Sequence, residues 1–525
     1  MGQKSGKFSW NRFCFVICLL LAITLTACTD HPPTSNDPDS SGSKYGGTVK
    51  MIILDPVLNL GFQAEQRVTG YLYQTSPVLE SLGRYGPDGQ MVPLLAESWE
   101  SDPDAKTITF VLRKGVKFHD NTDFNAEAAK WNIEQFIEAK RSEVAGIRSI
   151  ETVDEHTIRI HLEEWDNTLL DAVAYFVRMV SPTAVKEHDV EWAIRNPIGT
   201  GPFTFVSWDR DVSVKFKKNE NYWQAGKPYL DGIEYMLIPD RNTSANVFKT
   251  GGGDVLTLMN PEVYQELEAT GKYTSWTNDG VFGALGMGLM FDSANSASPF
   301  ADLKVRQAVM HAVDQEAIIQ SVFRGFGTAT NQWNISSLWS YNPEVQGYKY
   351  DPERAKQLLA EAGYASGFKT QIITDPPRAN LITAVQSYLA KVGIDAQLVT
   401  VDTAKWNAMV GDRWDGLIYY PMSLGPNTVT QMTRVFGQSS AIYAKNIIHP
   451  DKVEQLLEEA RSAPDFEASK KVVHELQKTL FDEYAVSFPI LRLKAGVVMD
   501  PKVQDLDMWK SNGLDWSPEN VWLQK

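Results

Sequence analysis

A chain of 525 residues with 43% hydrophobic and 22% charged residues has the balance of a folded protein and is too long for one core, so two or three domains are expected. Its 50 Lys and Arg stand against 65 Asp and Glu, a net charge of −15 that argues against nucleic acid as a partner and suits solubility outside the cell. All three cysteines, Cys14, Cys18 and Cys28, fall near the N-terminus, so the body of the chain has no disulfide and no thiolate metal site.

The chain opens with Lys4, Lys7 and Arg12 as a basic region, then Phe13 to Thr26 as an apolar run too short to span a bilayer comfortably. Leu25-Thr26-Ala27-Cys28 resembles a lipobox, the small residues before a cysteine that signal peptidase II reads. Residues 1–27 are therefore expected to be a lipoprotein signal peptide, and Cys28 the lipidated first residue of the mature chain. Residues 28–45, polar and rich in Pro and Ser, follow as a flexible tether. Loss of the leader removes three basic residues and no acid, leaving 47 against 65 and a net charge of −18.

Tyr45 to Ile52 reads as a first strand, and helical signal follows around Glu65 to Tyr73. Thr107 to Leu112 alternates polar and apolar residues behind the turn Asp102-Pro103-Asp104, which predicts a half-buried strand at a hairpin edge. A second short strand is expected at Val116 to Phe118. Asn125 stands at a helix N-cap before Ala126, Glu127, Ala128 and Ala129, with Trp131 and Phe136 on the buried side. His119 beside Asp120 lacks a nucleophile motif, and a hydrogen-bonded turn is its expected role. Glu151 to Leu162 reads as strand, turn, strand, and Asn196 to Phe203, with two glycines and two prolines, as a shaped loop. Leu303 to Asp314 has the stripe of a core helix. Asp351-Pro352 starts a further helix that ends at Gly363, and Ile372 to Val401 follows as an α/β unit.

Ala96-Glu97-Ser98-Trp99, the run Leu112 to Asp120, Trp131-Asn132, Asn196 to Phe203 and Leu303 to Asp314 resemble the signature of the family 5 extracellular solute-binding proteins. These are the oligopeptide-, dipeptide- and nickel-binding components of ABC importers. Asn121 takes the place of a glycine in that signature and also tolerates the left-handed conformation. The resemblance implies an α/β, two-lobed, periplasmic-binding-protein-like fold of type II, in the large cluster C-like form with an extra subdomain in lobe I. On that pattern lobe I is 46–285 with 90–198 inserted as the subdomain, lobe II is 286–484, and 485–525 returns to lobe I.

Chemistry of turnover is missing from the sequence. It has no G-x-S-x-G, no H-E-x-x-H and no phosphate-cradling glycine loop; His474-Glu475 begins like a zincin helix, but Lys478 stands where the second histidine belongs. His156 and His161, five apart in a strand, point to opposite faces. No catalytic residue, metal ligand or cofactor is expected. A receptor instead needs a cleft lined by aromatic and a few charged groups, which 15 Trp, 19 Tyr and 23 Phe can supply.

In peptide-binding members a lobe II aspartate pairs with the peptide's α-ammonium group. In the matching stretch here, Gly416 to Asn427, Met422 and Gly425 stand where acids are expected, so a buried ammonium would lack its counter-charge. Arg178 resembles an arginine of nickel-type members that meets the carboxylate of a metal chelate. The resemblance thus implies that Arg178 binds an anionic group while Trp414, Tyr419, Tyr420 and Met422 form an apolar wall; an ion pair for Arg178 and core packing for the others is the alternative. The expected function is a monomeric extracytoplasmic lipoprotein that captures a small solute, an oligopeptide, metal chelate, other anionic compound or sugar. It would deliver this to an ABC permease and its ATPase, anchored to the membrane through Cys28, in the periplasm or on the cell surface. The rivals are an extracytoplasmic hydrolase, with nucleophile and base converging in the cleft, and a surface adhesin or sensory receptor on the same fold.

Overall fold

The computed structural model describes residues 44–65, 69–257, 261–278, 286–422, 427–440, 442–508 and 516–525. The expected signal peptide, Cys28, nearly all of the tether, and Gly425 lie outside them. Two mixed sheets each gather helices around a core of their own.

The first sheet has seven strands, in the order Thr274–Asn278, Ala495–Met499, Val255–Thr257, Thr48–Ile53, Gly232–Leu237, Ser213–Lys218 and Phe203–Asp209. Thr48–Ile53 sits at its centre, parallel to both neighbours, with Val49, Met51, Ile52 and Ile53 buried. The second sheet has six strands, in the order Gly327–Ala329, Ser487–Leu493, Gly286–Phe291, Leu417–Met422, Phe368–Thr374 and Ile394–Thr400. Every residue of Gly286–Phe291 is buried, as in a strand covered on both faces. The last two strands are parallel, and the helix Ala379–Lys391 makes the crossover they require.

The chain passes between the sheets twice. It leaves the first after Asn278 and enters the second at Gly286; it returns at Lys494, between Leu493 and Ala495. Ser487–Leu493, beyond the expected boundary at 485, still pairs with Gly286–Phe291, and its Phe488, Ile490 and Leu491 fill the second core. In the first sheet the departing and returning strands are antiparallel neighbours, in register from Thr274 opposite Met499 to Asn278 opposite Ala495.

A four-stranded antiparallel sheet, in the order Ala96–Asp102, Thr107–Leu112, Thr157–Leu162 and Ile147–Asp154, forms a subdomain of the first body. Thr107–Leu112 is interior, and Ala96–Asp102 is the edge. Packed on this sheet is the helix Ala126–Glu138, which buries Ala126, Ala129, Ile133 and Phe136 at helical spacing. Asn125 caps it, its side-chain oxygen accepting from the Ala128 N–H at 3.0 Å. The short strand expected at Val116–Phe118 is reduced to one bridge between Lys117 and Asp123. There Asp120 draws the loop into a turn by accepting from the N–H and hydroxyl of Thr122, and Asn121 takes φ 67°.

Candidate functional site

The subdomain of the first body reaches across to the helices of the second. Trp165 donates its indole N–H to the Ala463 carbonyl at 3.0 Å, and the Asn167 amide donates to the carbonyls of Ala460 and Ala463 at 2.7 and 3.3 Å. The Asn167 N–H bonds the Arg461 carbonyl at 2.9 Å, and the Arg461 guanidinium pairs with Asp166 at 3.0 Å. On the same side the Trp339 N–H donates to the Asp88 carbonyl at 3.0 Å, and the Asn427 amide to the Thr168 carbonyl at 3.3 Å. Most of these bonds end on backbone, so they read shape more than sequence.

Beside this clasp lies a cavity of about 410 Å³. Trp99, Trp165 and Asp171 line it from the first body; Trp339, Asn427 and Phe466 line it from the second. Four aromatic rings interleaved with polar side chains such as Gln90, Asn167, Asp171 and Asp465 give it both the apolar walls and the hydrogen-bonding groups that a pocket for a small organic molecule requires. Burial pushes the Asp171 carboxyl up to about 7, while a 3.1 Å bond donated by the Tyr85 hydroxyl partly restrains the shift.

Arg178 is 2% exposed in the extended segment that follows the turn Ala172–Phe176. Its guanidinium carbon lies 5.0 Å from the ring centre of Tyr175, within cation–π range. The Tyr175 ring packs on Tyr85 at 4.7 Å. An unbroken run of Arg178, Tyr175, Tyr85 and Asp171 therefore connects the predicted anion anchor to the wall of the cavity.

The other four predicted residues are all buried in the second body. Tyr419 and Tyr420 are consecutive in Leu417–Met422 and leave opposite faces of the sheet. Tyr419 packs on Trp406 at 6.1 Å and under the Arg378 guanidinium at 5.5 Å. Tyr420 packs on Trp333 at 5.3 Å and Tyr443 at 5.4 Å, and Tyr443 meets Trp414 at 5.8 Å. Met422 shares the Tyr420 face, so the structure groups Trp414, Tyr420 and Met422 and sends Tyr419 elsewhere. Sequence reasoning missed Arg492, which lies opposite Gly286 in the same sheet and is 1% exposed. Its signal was an arginine inside the apolar run Ser487 to Leu493.

The histidine beside the subdomain has a structural role. The His119 Nε2 is 2.9 Å from the Gly201 carbonyl, and burial lowers its pKa to about 4. Ser181 donates to Asp120 at 2.5 Å and caps the helix Pro182–Glu187 by accepting from Ala184 N–H, so hydroxyl and imidazole do not form a nucleophile–base pair. His474 bonds the Trp339 carbonyl at 2.8 Å. Among the described residues no cluster of His, Cys, Asp and Glu could hold a metal ion, and no helix is long and apolar enough to cross a membrane.

Residues 90–443 match the family model described as bacterial extracellular solute-binding proteins, family 5 Middle. Heme-binding protein A of Haemophilus influenzae is 30% identical over 73% of this chain and 76% of its own length. The dipeptide-binding protein of Escherichia coli is 27% identical over 84% of this chain and 90% of its own. Among solved structures, HbpA2 from Haemophilus parasuis shares the fold with a TM-score of 0.81 at 24% identity, over 91% of this chain and all, 100%, of that one. Two sheets, a subdomain clasped across a cavity and these likenesses agree: the chain belongs to the bacterial extracellular solute-binding proteins of family 5.

Proposed function

We propose that the protein is the extracytoplasmic receptor of an ABC importer, closing two lobes on a small anionic solute and presenting it to the permease. One lobe carries the seven-stranded sheet and the subdomain, the other the six-stranded sheet. The observation that carries this reading is the clasp between Trp165–Thr168 and Ala460–Ala463 beside a cavity lined from both bodies. Solute adds contacts available only when the lobes meet, which shifts the population toward the closed form. The protein works as a monomer without cofactor or turnover, and lipid on Cys28 holds it at the outer face of the membrane by its tether.

Arg178 is the anion anchor in this reading. Similar proteins are named for heme and glutathione, and similar structures are complexes with Fe(III)-EDTA and agropinic acid, all of which carry carboxylates. A second reading, capture of an ordinary peptide, has likeness to the dipeptide-binding proteins in its favour, but Met422 supplies no charge for an α-ammonium group. Mass spectrometry of the ligand released from purified, denatured protein tests both: a carboxylate-bearing solute is expected, and a neutral or cationic one overturns the anionic reading. Affinity for the recovered solute should fall at least about tenfold in Arg178→Ala, the loss of one charge-assisted pair.

A further inference from the structure

Two guanidinium groups are equally deep in the second body but differ in how they are satisfied. Arg306, 2% exposed, spends all three nitrogens on backbone carbonyls: Nε on Ala485 at 3.1 Å, Nη1 on Phe300 and Ala301 at 2.8 and 3.0 Å, and Nη2 on Tyr484 at 2.8 Å. Arg492, 1% exposed, donates from Nη2 to the Trp333 carbonyl, while Nε and Nη1 are enclosed without an acceptor among the described residues. The ionisable group it senses is the Tyr420 hydroxyl, itself buried and without a hydrogen-bond partner. Burial lowers the Arg492 pKa only to about 10, so the group keeps its charge at neutral pH. Among the described residues it has no counter-ion, and a buried cation with donors unspent is costly to a fold, so native proteins rarely keep one without a use.

Its position indicates the use. Gly286 lies opposite both Arg492 and Met422, and Gly288 opposite Tyr420, so Arg492, Met422 and Tyr420 rise from one face of the sheet with bare glycine between them. A Cβ on Gly286 would stand 2.7 Å from the Met422 Cβ, so a larger residue there would crowd this space. Arg492 is two residues before Lys494, where the chain returns to the first sheet, and Gly286 is where it arrived. Arg492 thus sits on the strand end from which the chain crosses to the first body, with its guanidinium against the Trp333 carbonyl.

We propose that Arg492 and the Tyr420 hydroxyl form a second oxyanion subsite of the solute cleft, and that the solute carries at least two oxyanion groups, one for each lobe. This rests on the reading that solute binds between the lobes, with Arg178 holding the first group. Carboxylate and phosphate share the required chemistry, acceptor oxygens of full negative charge.

Calorimetric titration of the full-length protein with citrate, pyrophosphate and neutral succinamide separates these sources. Citrate or pyrophosphate, and not succinamide, should bind, and the preferred one names the oxyanion. Its affinity should fall at least tenfold in Arg492→Met and about threefold in Tyr420→Phe. Thermal unfolding supplies a second measurement: because Arg492 makes one bond, Arg492→Met should melt at or above the wild-type temperature without ligand. The proposal is overturned by equal affinity in wild type and Arg492→Met, by no binding of either anion at millimolar concentration, or by a large drop in melting temperature, which would make Arg492 a structural group. None of these results touches the receptor reading, which fails only if the denatured protein releases no small solute.

Discussion

Glu80 shows how one buried side chain ties the first body to pH. It is 4% exposed and accepts from the Tyr222 hydroxyl at 2.7 Å, the Thr200 hydroxyl at 2.8 Å and the Trp223 indole at 3.0 Å. Burial pushes its pKa from 4.5 up to about 7, against the pull of these three donors. A carboxyl raised on folding holds its proton more tightly in the folded state, so stability falls as pH climbs from 4.5 through 7 and is level beyond. The shift corresponds to about 3 kcal/mol lost over that window. Glu80→Gln should match the wild type in urea unfolding at pH 5 and exceed it at pH 8; an equal gap at both would exonerate Glu80. Nothing in the sequence distinguishes Glu80 from any surface glutamate, because the three donors come from residues more than a hundred positions away. Arg492 left only the trace of a charge in an apolar run, since its partner Trp333 is 159 positions away, whereas Asn125 and Asp351 could be read as caps because their partners lie three residues on.

Elements follow the sequence where contacts are local and depart from it where they are not. The loop Asn196–Phe203 was expected to be shaped by its glycines, and the structure supplies the reason: Gly199 is pressed against the chain at Val78. A Cβ there would fall 2.0 Å from the Val78 carbonyl oxygen and 2.7 Å from the Leu79 side chain. Because the obstacle is backbone, Gly199→Ala should cost about 3 kcal/mol, read as a fall in thermal unfolding temperature. An unchanged melting curve would mean that this loop relaxes freely. The helix Leu303–Ala312 and the α/β unit from Phe368 to Thr400 formed as their apolar spacing predicted. Val116–Phe118 did not form a strand, since period-two patterning over three residues yields to a turn that Asp120 closes on itself.

At the scale of the whole molecule, the proposed closure would make the clasp the contact that sets the balance between open and closed. Asn167→Ala removes two side-chain bonds to Ala460 and Ala463 and leaves each core untouched. The solute-free protein should then expand in small-angle scattering, and solute affinity should drop about three- to tenfold at an unchanged melting temperature. Unchanged affinity would take the clasp out of the closing step. Strand order at this scale could not be read from periodicity, because the seven-stranded sheet draws on segments near residues 50, 206, 215, 235, 256, 276 and 497; resemblance to a family supplied the two lobes and their bounds but not that order. The antiparallel pairing of Thr274–Asn278 with Ala495–Met499 has an evolutionary and engineering consequence. The second body enters and leaves through two facing ends of one ladder, about 5 Å apart at Asn278 and Ala495, a span that a tight β-turn can close. Everything between them is, in topology, a hairpin loop grown to the size of a domain. Closing that turn directly would leave the first body, the larger of the two, as a chain continuous through its own sheet, and receptors of new shape can be assembled by exchanging what is spliced into that single turn.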